Sequence, residues 1–397
     1  MISVIKAQEI ILDNAIPYGT CVIQIDNALG FVVAENIFSP IDLPLFDQSA
    51  MDGYGFIFKD FIDKKEIEII SEIPAGLEYS FEIKSGFGVR IFTGAKIPVG
   101  IDTVVIQEEA KVENNKLQID NSTLQSESNI RKKGSQITKG ACAIPVGTKL
   151  TPPLIGYLSS MGITQVKVFI KPKVSVIVTG TELLERGEKL EDSKIFESNS
   201  ITLKTALRSI GIEDVKIVSV QDNERELKKI IEREISDTDI LLFTGGVSVG
   251  KYDFVYNLLK EKGVQELFYK IKQKPGKPMF YGKHVNVSVF ALPGNPAAVI
   301  TCFYNYVYPA IRKSCGDKNV FLKKIRLAIN GRFNKKSGLA NFLKAKIEDD
   351  NTVTVLEGQE SNVLSSYLNA DCMIYLPEEI EEIQKGNLVD VILFPFN

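Results

Sequence analysis

The chain of 397 residues has no tryptophan, one histidine and five cysteines. The cysteines stand at 21, 142, 302, 315 and 372, and no two share a C-x-x-C spacing. That scatter excludes a zinc ribbon and a disulfide framework, and it predicts a cytoplasmic protein in a reducing compartment. The single histidine, His284, sits in a Gly-Lys-His turn between two predicted strands and reads as a surface residue. Acid–base chemistry therefore falls to carboxylates, lysines or bound water. No apolar run is long enough to span a bilayer, and no signal-like pattern opens the chain, so no membrane partner is predicted. A net charge of −3 gives no bulk attraction to nucleic acid. Any anion site must come from local clustering. What is present is globular material, 44% hydrophobic and 24% charged, enough for two to four domains.

The patterning changes along the chain. Residues 3–16 have the period of an amphipathic helix that Ser3 can cap, and Pro17 ends it. From about 55 to 140 short alternating runs predict strands and turns, hence a small β domain. Pro152 and Pro153 open a helix stopped by Gly162. Residues 174–316 alternate strand and helix, which implies a parallel sheet covered on both faces. A strand is expected over 266–273, with Lys270, Lys272 and Lys274 on one face. Residues 321–397 return to short strands.

Residues 239–262 read D-I-L-L-F-T-G-G-V-S-V-G-K-Y-D-F-V-Y-N-L-L-K-E-K. A buried strand, a loop with glycines at 245, 246 and 250, and a helix start follow one another. Glycines let backbone approach a ligand, and the free N–H groups of a helix start favour an anion. The loop is neither a Walker loop nor a G-x-G-x-x-G fingerprint. Thr179-Gly-Thr-Glu-Leu183 and Leu292-Pro-Gly-Asn-Pro-Ala297 also fall at carboxyl ends of predicted strands, where open α/β sheets bind ligands. Lys274 and Lys277 flank a Pro-Gly bend and suit phosphate, whereas Lys270 and Lys272 suit a solvated edge. Upstream, Phe46-Asp-Gln-Ser-Ala-Met-Asp-Gly-Tyr54 is too long and too mixed in donors and acceptors for a minimal turn.

Pro44-Leu-Phe-Asp-Gln-Ser-Ala-Met-Asp-Gly-Tyr54, Arg90-Ile-Phe-Thr-Gly94, Asp102-Thr-Val-Val-Ile-Gln-Glu-Glu109, Thr244-Gly-Gly-Val-Ser-Val-Gly-Lys-Tyr-Asp253, Lys274-Pro-Gly-Lys-Pro278 and Leu292-Pro-Gly-Asn-Pro296 occur in that order. With them the whole chain resembles the molybdopterin molybdenumtransferases, the MoeA family, to which the gephyrin E domain is related. The resemblance implies a multidomain α/β plus β fold. A linking region (1–45 and 141–172) would join a small β domain (46–140), a doubly wound parallel-type α/β molybdopterin-binding domain (173–320) and a C-terminal β-barrel-like domain (321–397).

The resemblance also implies Mg2+-dependent reaction of adenylyl-molybdopterin with molybdate, giving molybdenum cofactor and AMP. It implies a homodimer whose active sites are shared between subunits, with other molybdenum cofactor biosynthesis proteins as further partners. Gly245, Gly246, Ser248 and Gly250 would hold phosphate, and Lys274 and Lys277 would neutralise it. Glu182, Asp239 and Asp253 would handle Mg2+ and pyrophosphate. Asp52 and Thr93 would lie near the molybdate end, and Pro293, Asn295 and Pro296 would line the pterin or molybdate pocket. Each acid has a plainer alternative: Asp253 as a helix cap, Asp239 as a strand opener, Glu182 as a first-turn helix acid. The pattern departs from the family at Ser135 and Gln136, where an acidic pair is usual. It departs also at Thr181, and at Glu360 and Asn362 in the loop 358–366. Two rival readings share the fold, a molybdopterin adenylyltransferase and a non-catalytic molybdopterin-binding scaffold.

Overall fold

The computed structural model describes residues 1–77, 81–246 and 254–395. The chain forms two compact units: Met1–Ala34, Gly147–Thr151 and Lys167–Asn397 make the larger, and Glu35–Val146 and Pro152–Val166 the smaller. Among the described residues no helix is long and apolar enough to cross a membrane.

The larger unit is built on a six-stranded sheet. Its order is Val215–Val220, Val174–Thr179, Ile240–Thr244, Val287–Leu292, Phe280–His284, Gln265–Tyr269. The first four strands are parallel, and the last two join antiparallel. Every residue of Val174–Thr179, Ile240–Thr244 and Val287–Leu292 is buried, as continuous apolar runs require when both faces are covered. Period two sorts these residues between two cores. Val176, Leu242 and Phe290 pack with Leu203 and Leu207 of the helix Asn199–Ser209 and with the N-terminal helix Val4–Asn14. Ile177, Phe243 and Val289 pack with Leu227 and Ile231 of Glu224–Asp237 and with Leu258 of Phe254–Glu261. Ser3 caps the N-terminal helix, its Oγ accepting from the Lys6 amide at 3.2 Å.

One expected strand is corrected. Residues 266–273 are not continuous: Gln265–Tyr269 ends at Lys270, whose φ of 67° is left-handed. Gln273–Lys274 then pairs in parallel with Ala340–Ile347, outside the α/β sheet. Lys270, Lys272 and Lys274 therefore share no strand face. Their shared period of two carried no information about a break placed between them.

Beyond the sheet, Ala340–Ile347, Thr352–Val355, Lys324–Ile329, Leu388–Leu393 and Cys372–Leu376 pair in sequence around a ring. Pairing of the last with the first closes a five-stranded barrel, which leaves its strands no open edge. All five cysteines are free thiols.

The smaller unit carries a sheet ordered Thr103–Ile106, Gly53–Phe56, Phe87–Ile91, Glu68–Ile73, Lys116–Ile119, Ala110–Glu113. Gly53–Phe56 lies between two antiparallel neighbours. Gly53 is required there, because a Cβ would overlap the Val105 carbonyl oxygen.

Glu234 locks the α/β layers together. It is fully buried on the helix Glu224–Asp237, yet it reaches two adjacent strands. Ser175 Oγ donates to it at 2.7 Å, Lys216 Nζ at 2.7 Å and Arg233 Nε at 2.8 Å. Burial pushes its pKa up, but the Lys216, Ser175 and Arg233 hydrogen bonds outweigh burial and hold it below the ordinary value. A depressed folded pKa contributes stability above the unfolded pKa, and that stability is lost as pH falls through the folded value. Glu234→Gln should destabilise the fold by about 2 kcal/mol at neutral pH, the order of a disrupted charged hydrogen bond. The gap from the unsubstituted protein should close below the ordinary glutamate pKa of about 4.3. Urea unfolding across that pH range checks both.

Candidate active site

Strand register brings several loops to one edge of the α/β sheet. Val178 is level with Thr244, Thr244 with Leu292, and Ala291 with Phe280. The segments starting at Gly180, Gly245 and Pro293, and the segment ending at Met279, therefore emerge together. Gly245 and Gly246 have φ of 91° and 65°. A Cβ on Gly245 would stand 2.6 Å from the Thr179 carbonyl oxygen, and one on Gly246 2.6 Å from Val255 Cγ2. A Cβ on Gly294 would be 3.7 Å from Gly245 Cα, so the two loops run side by side. Ser248, Gly250 and Asp253 lie outside the described residues.

Asn199 ties these loops. Its Nδ2 donates to Thr244 Oγ1 at 2.8 Å and to the Gly294 carbonyl at 2.7 Å. Its Oδ1 and the hydroxyl of Thr179 are buried with no partner among the described residues. Thr179 itself is only 5% exposed. Buried polar atoms without partners are uncommon and costly, and they mark places where a ligand or water completes a structure. Sequence reasoning placed Thr179 at a ligand-binding strand end without giving its hydroxyl a role, and it passed over Asn199. The one available signal was Asn199 in a polar Glu-Ser-Asn-Ser run at a helix start, which reads as capping.

Asn295 precedes the helix Pro296–Cys302, but its side chain makes no cap bond. It donates instead to Ser361 Oγ at 2.6 Å, and the Ala297 amide donates to the Ser361 carbonyl at 2.9 Å. The loop 358–366 thus docks on the Pro293–Pro296 turn. Buried Lys344 braces that loop, donating to the carbonyls of Gly358 at 2.6 Å, Glu360 at 3.3 Å and Val363 at 3.4 Å. Burial pushes the Lys344 pKa down.

Lys274 and Lys277 are both exposed, and neither makes an ion pair among the described residues. Lys272 pairs with Glu378 at 3.3 Å, and Lys270 lies over the Tyr269 ring. Glu182 stands in an exposed turn after Val174–Thr179. No helix follows it directly; Leu183–Leu184 pairs with Ile195–Phe196, so the first-turn alternative for Glu182 does not hold. Asp222, at the end of the neighbouring strand, accepts from the Thr181 amide at 3.2 Å.

Asp239 requires correction. It precedes Ile240–Thr244, at the opposite end of the strand from Gly245. Five residues at about 3.3 Å each separate the two edges. Its carboxylate accepts from the Lys173 amide at 2.8 Å, and its carbonyl from Tyr18 and Ser288. It fastens strand ends and does not join Glu182.

Asp52 and Thr93 belong to the smaller unit, where they meet directly. Asp52 Oδ1 accepts from the Thr93 amide at 2.7 Å and the Thr93 hydroxyl at 2.8 Å. The Thr93 amide, the Thr93 hydroxyl and the charge of Arg90 together hold the Asp52 pKa below the ordinary carboxylate value. Arg90 lies over the rings of Tyr54 and Phe92 and donates to Gln107. Asp47 accepts from the Lys133 amide at 2.7 Å and pairs with Lys132 at 3.5 Å, fixing the loop's other end. The arrangement presents an ionised carboxylate on a rigid loop. Carboxylate-detected NMR should show Asp52 titrating below its ordinary pKa of about 3.9. Thr93→Val should move it upward, because one of its two donors is gone.

Residues 2–162 match the MoeA N-terminal region (domain I and II), 175–313 the probable molybdopterin binding domain, and 326–394 the MoeA C-terminal region (domain IV). The molybdopterin molybdenumtransferase of Haemophilus influenzae is 32% identical, over 96% of this chain and 95% of that one. The Staphylococcus epidermidis protein of the same name is 33% identical, over 100% and 96%. The crystal structure of the molybdopterin biosynthesis moeA protein from Pyrococcus horikoshii OT3 superposes with a TM-score of 0.86 at 29% identity, covering 99% of this chain and 100% of that one. Full-length similarity to these relatives, over a fold of the same arrangement, makes this chain a member of the molybdopterin molybdenumtransferase family.

Proposed function

We propose that the protein inserts molybdenum from molybdate into adenylyl-molybdopterin, with release of AMP. The observation that carries this reading is the convergence at one sheet edge of the Gly245–Gly246 backbone, the Pro293–Pro296 turn and a cationic Lys274–Lys277 segment. Such an edge suits a substrate with a phosphoanhydride at one end and a fused-ring system at the other. The names of its relatives support the same substrate class.

In this reading the amides at Gly245 and Gly246, continued by Ser248 and Gly250, hold phosphate oxygens, as backbone nests do. Lys274 and Lys277 neutralise the charge that builds as the P–O bond to AMP breaks and an oxygen of water or molybdate takes its place on phosphorus. Asn295, with Pro293 and Pro296, orients the pterin. Thr179 and Asn199 offer the unpartnered hydroxyl and carbonyl that complete contacts with the ligand.

Among the described residues no group of three acidic, His or Cys side chains could cage a metal. Mg2+ in phosphoanhydride sites is held by one or two carboxylates together with substrate phosphates. Glu182 and Asp253 would hold it, and it would supply charge neutralisation on the phosphoanhydride. Asp52 and Thr93 serve the molybdate end. In a homodimer they complete the edge provided by the partner subunit, which accounts for site residues carried on two separate units of one chain.

The unsubstituted protein should release AMP from adenylyl-molybdopterin only when molybdate is added. Asp52→Asn should lower that rate by about 10²-fold or more, the scale of losing a reacting carboxylate. Lys274→Ala with Lys277→Ala should lower kcat as well as raise KM, because the charge they neutralise builds as the bond breaks. Tight nucleotide binding with no release, with or without molybdate, would instead favour the scaffold.

A further inference from the structure

The Lys274–Lys277 segment is wound around a buried amide. Gln273 is fully buried. Its Nε2 donates to the Pro275 carbonyl at 2.9 Å and lies 3.4 Å from the Gly276 carbonyl and 3.6 Å from Cys302 Sγ. Its Oε1 accepts from the Tyr306 hydroxyl. The two carbonyls, which can only accept, fix which end of the amide faces the loop, and the oxygen is left to accept from the Tyr306 hydroxyl. Gly276 presses on the same support, since a Cβ there would stand 2.5 Å from Cys302 Sγ.

The support is itself unusual. Cys302 closes the helix Pro296–Cys302, and Tyr306 lies in the π-helical turn Phe303–Val307 that continues it. A π-turn inserts an extra residue and changes which side chains face a given direction; such turns are frequent at functional sites. One continuous helical segment therefore starts at the Asn295–Pro296 turn and holds the lysine loop from its side. Every residue of the π-turn is buried, so the platform is rigid.

We infer that Gln273, oriented by Tyr306, is a positioning residue that presents Lys274 and Lys277 to the substrate's phosphates. The inference rests on the phosphate-binding reading of those two lysines. Neither Gln273 nor Tyr306 touches substrate. Their contribution is to keep two exposed, flexible cations on a loop of one shape, so that little freedom is lost when the anion arrives.

The polarity of the amide gives the test. In Gln273→Glu a carboxylate would still accept from Tyr306, but it would turn a second acceptor toward the Pro275 and Gly276 carbonyls. Protonation restores a donor. The titratable groups facing this position are the Tyr306 hydroxyl and the Cys302 thiol, both kept neutral because burial pushes their pKa values up; Lys274 and Lys277 flank it on the loop. Calorimetric binding of inorganic pyrophosphate to the full-length protein is the readout, each variant compared with the unsubstituted protein at the same pH. Gln273→Glu should bind at least tenfold more weakly at pH 8 and recover most of that loss at pH 5.5. Tyr306→Phe, which keeps the ring and removes only the donor, should weaken binding about threefold at both pH values. Lys274→Ala with Lys277→Ala should weaken it at least tenfold at both.

If the lysine variant loses binding while Gln273→Glu and Tyr306→Phe bind like the unsubstituted protein, the positioning role is wrong and the lysine reading stands. If the lysine variant binds normally, the lysine reading is wrong and the inference falls with it. A Gln273→Glu loss that does not recover in acid, with Tyr306→Phe unaffected, means a packing defect only and also overturns the positioning role. Should Gln273→Glu fail to fold, Tyr306→Phe decides alone.

Discussion

The site depends on backbone meeting backbone at the carboxyl edge of the α/β sheet. Gly245 passes so close to the Thr179 carbonyl that a side chain is excluded from the contact, and Gly294 lies alongside Gly245 with room for no more than a Cβ in ordinary contact. This closeness follows from register. Val178, Thr244 and Leu292 end level because their strands pair in step, and the strands pair in step because both faces of each are buried in one core or the other. A slip of one residue would exchange the two faces of a strand, taking Ser175 away from Glu234 and each apolar side chain out of the core it fills. The apolar cores thus set the position of a polar site, and Val255 of one core packs directly under Gly246.

Onto that edge the chain adds supports drawn from distant sequence. Asn199 clamps the Thr244 and Gly294 loops. Ser361, on a loop braced by buried Lys344, satisfies the amide of Ala297 and turns Asn295 away from capping. Gln273 and Tyr306 shape the lysine loop. In each case a polar group is buried with nearly all of its hydrogen bonds made. Networks of this kind fix geometry more than they add stability, because each member would be costly to leave unpaired. Thr179 Oγ1 and Asn199 Oδ1, two of the buried side-chain atoms without a partner among the described residues, are at the edge where substrate is proposed to sit.

Much of this was legible in the sequence. The alternation of apolar runs and helical periods over 174–316 gave the α/β layer, and glycines 245 and 246 gave the backbone approach. The long motifs shared with one family gave the order of parts, including a Phe46–Tyr54 loop that composition alone marks only as unusual. What sequence could not carry was direction and distance. Asp239 and Gly245 are six residues apart and both sit beside polar neighbours, yet a strand places them on opposite edges. Lys270 to Lys274 kept a strand period across a left-handed break. Asn199, Gln273 and Lys344 act through partners 45 to 95, 33 and up to 19 positions away, and no local pattern announces such pairings.

The central claim is that the anion-binding edge of one subunit works with Asp52 and Thr93 of another. Mixed dimers test it most directly. Two differently tagged chains, one with Asp52→Asn and the other with Lys274→Ala and Lys277→Ala, would be co-expressed and the doubly tagged species isolated. If the site is shared, one of its two sites carries both defects and the other carries none. Molybdate-dependent AMP release should then return to about half that of the unsubstituted dimer. If each site is built within one chain, both sites of the mixed dimer stay defective, and activity no higher than that of the parent variants would contradict the account.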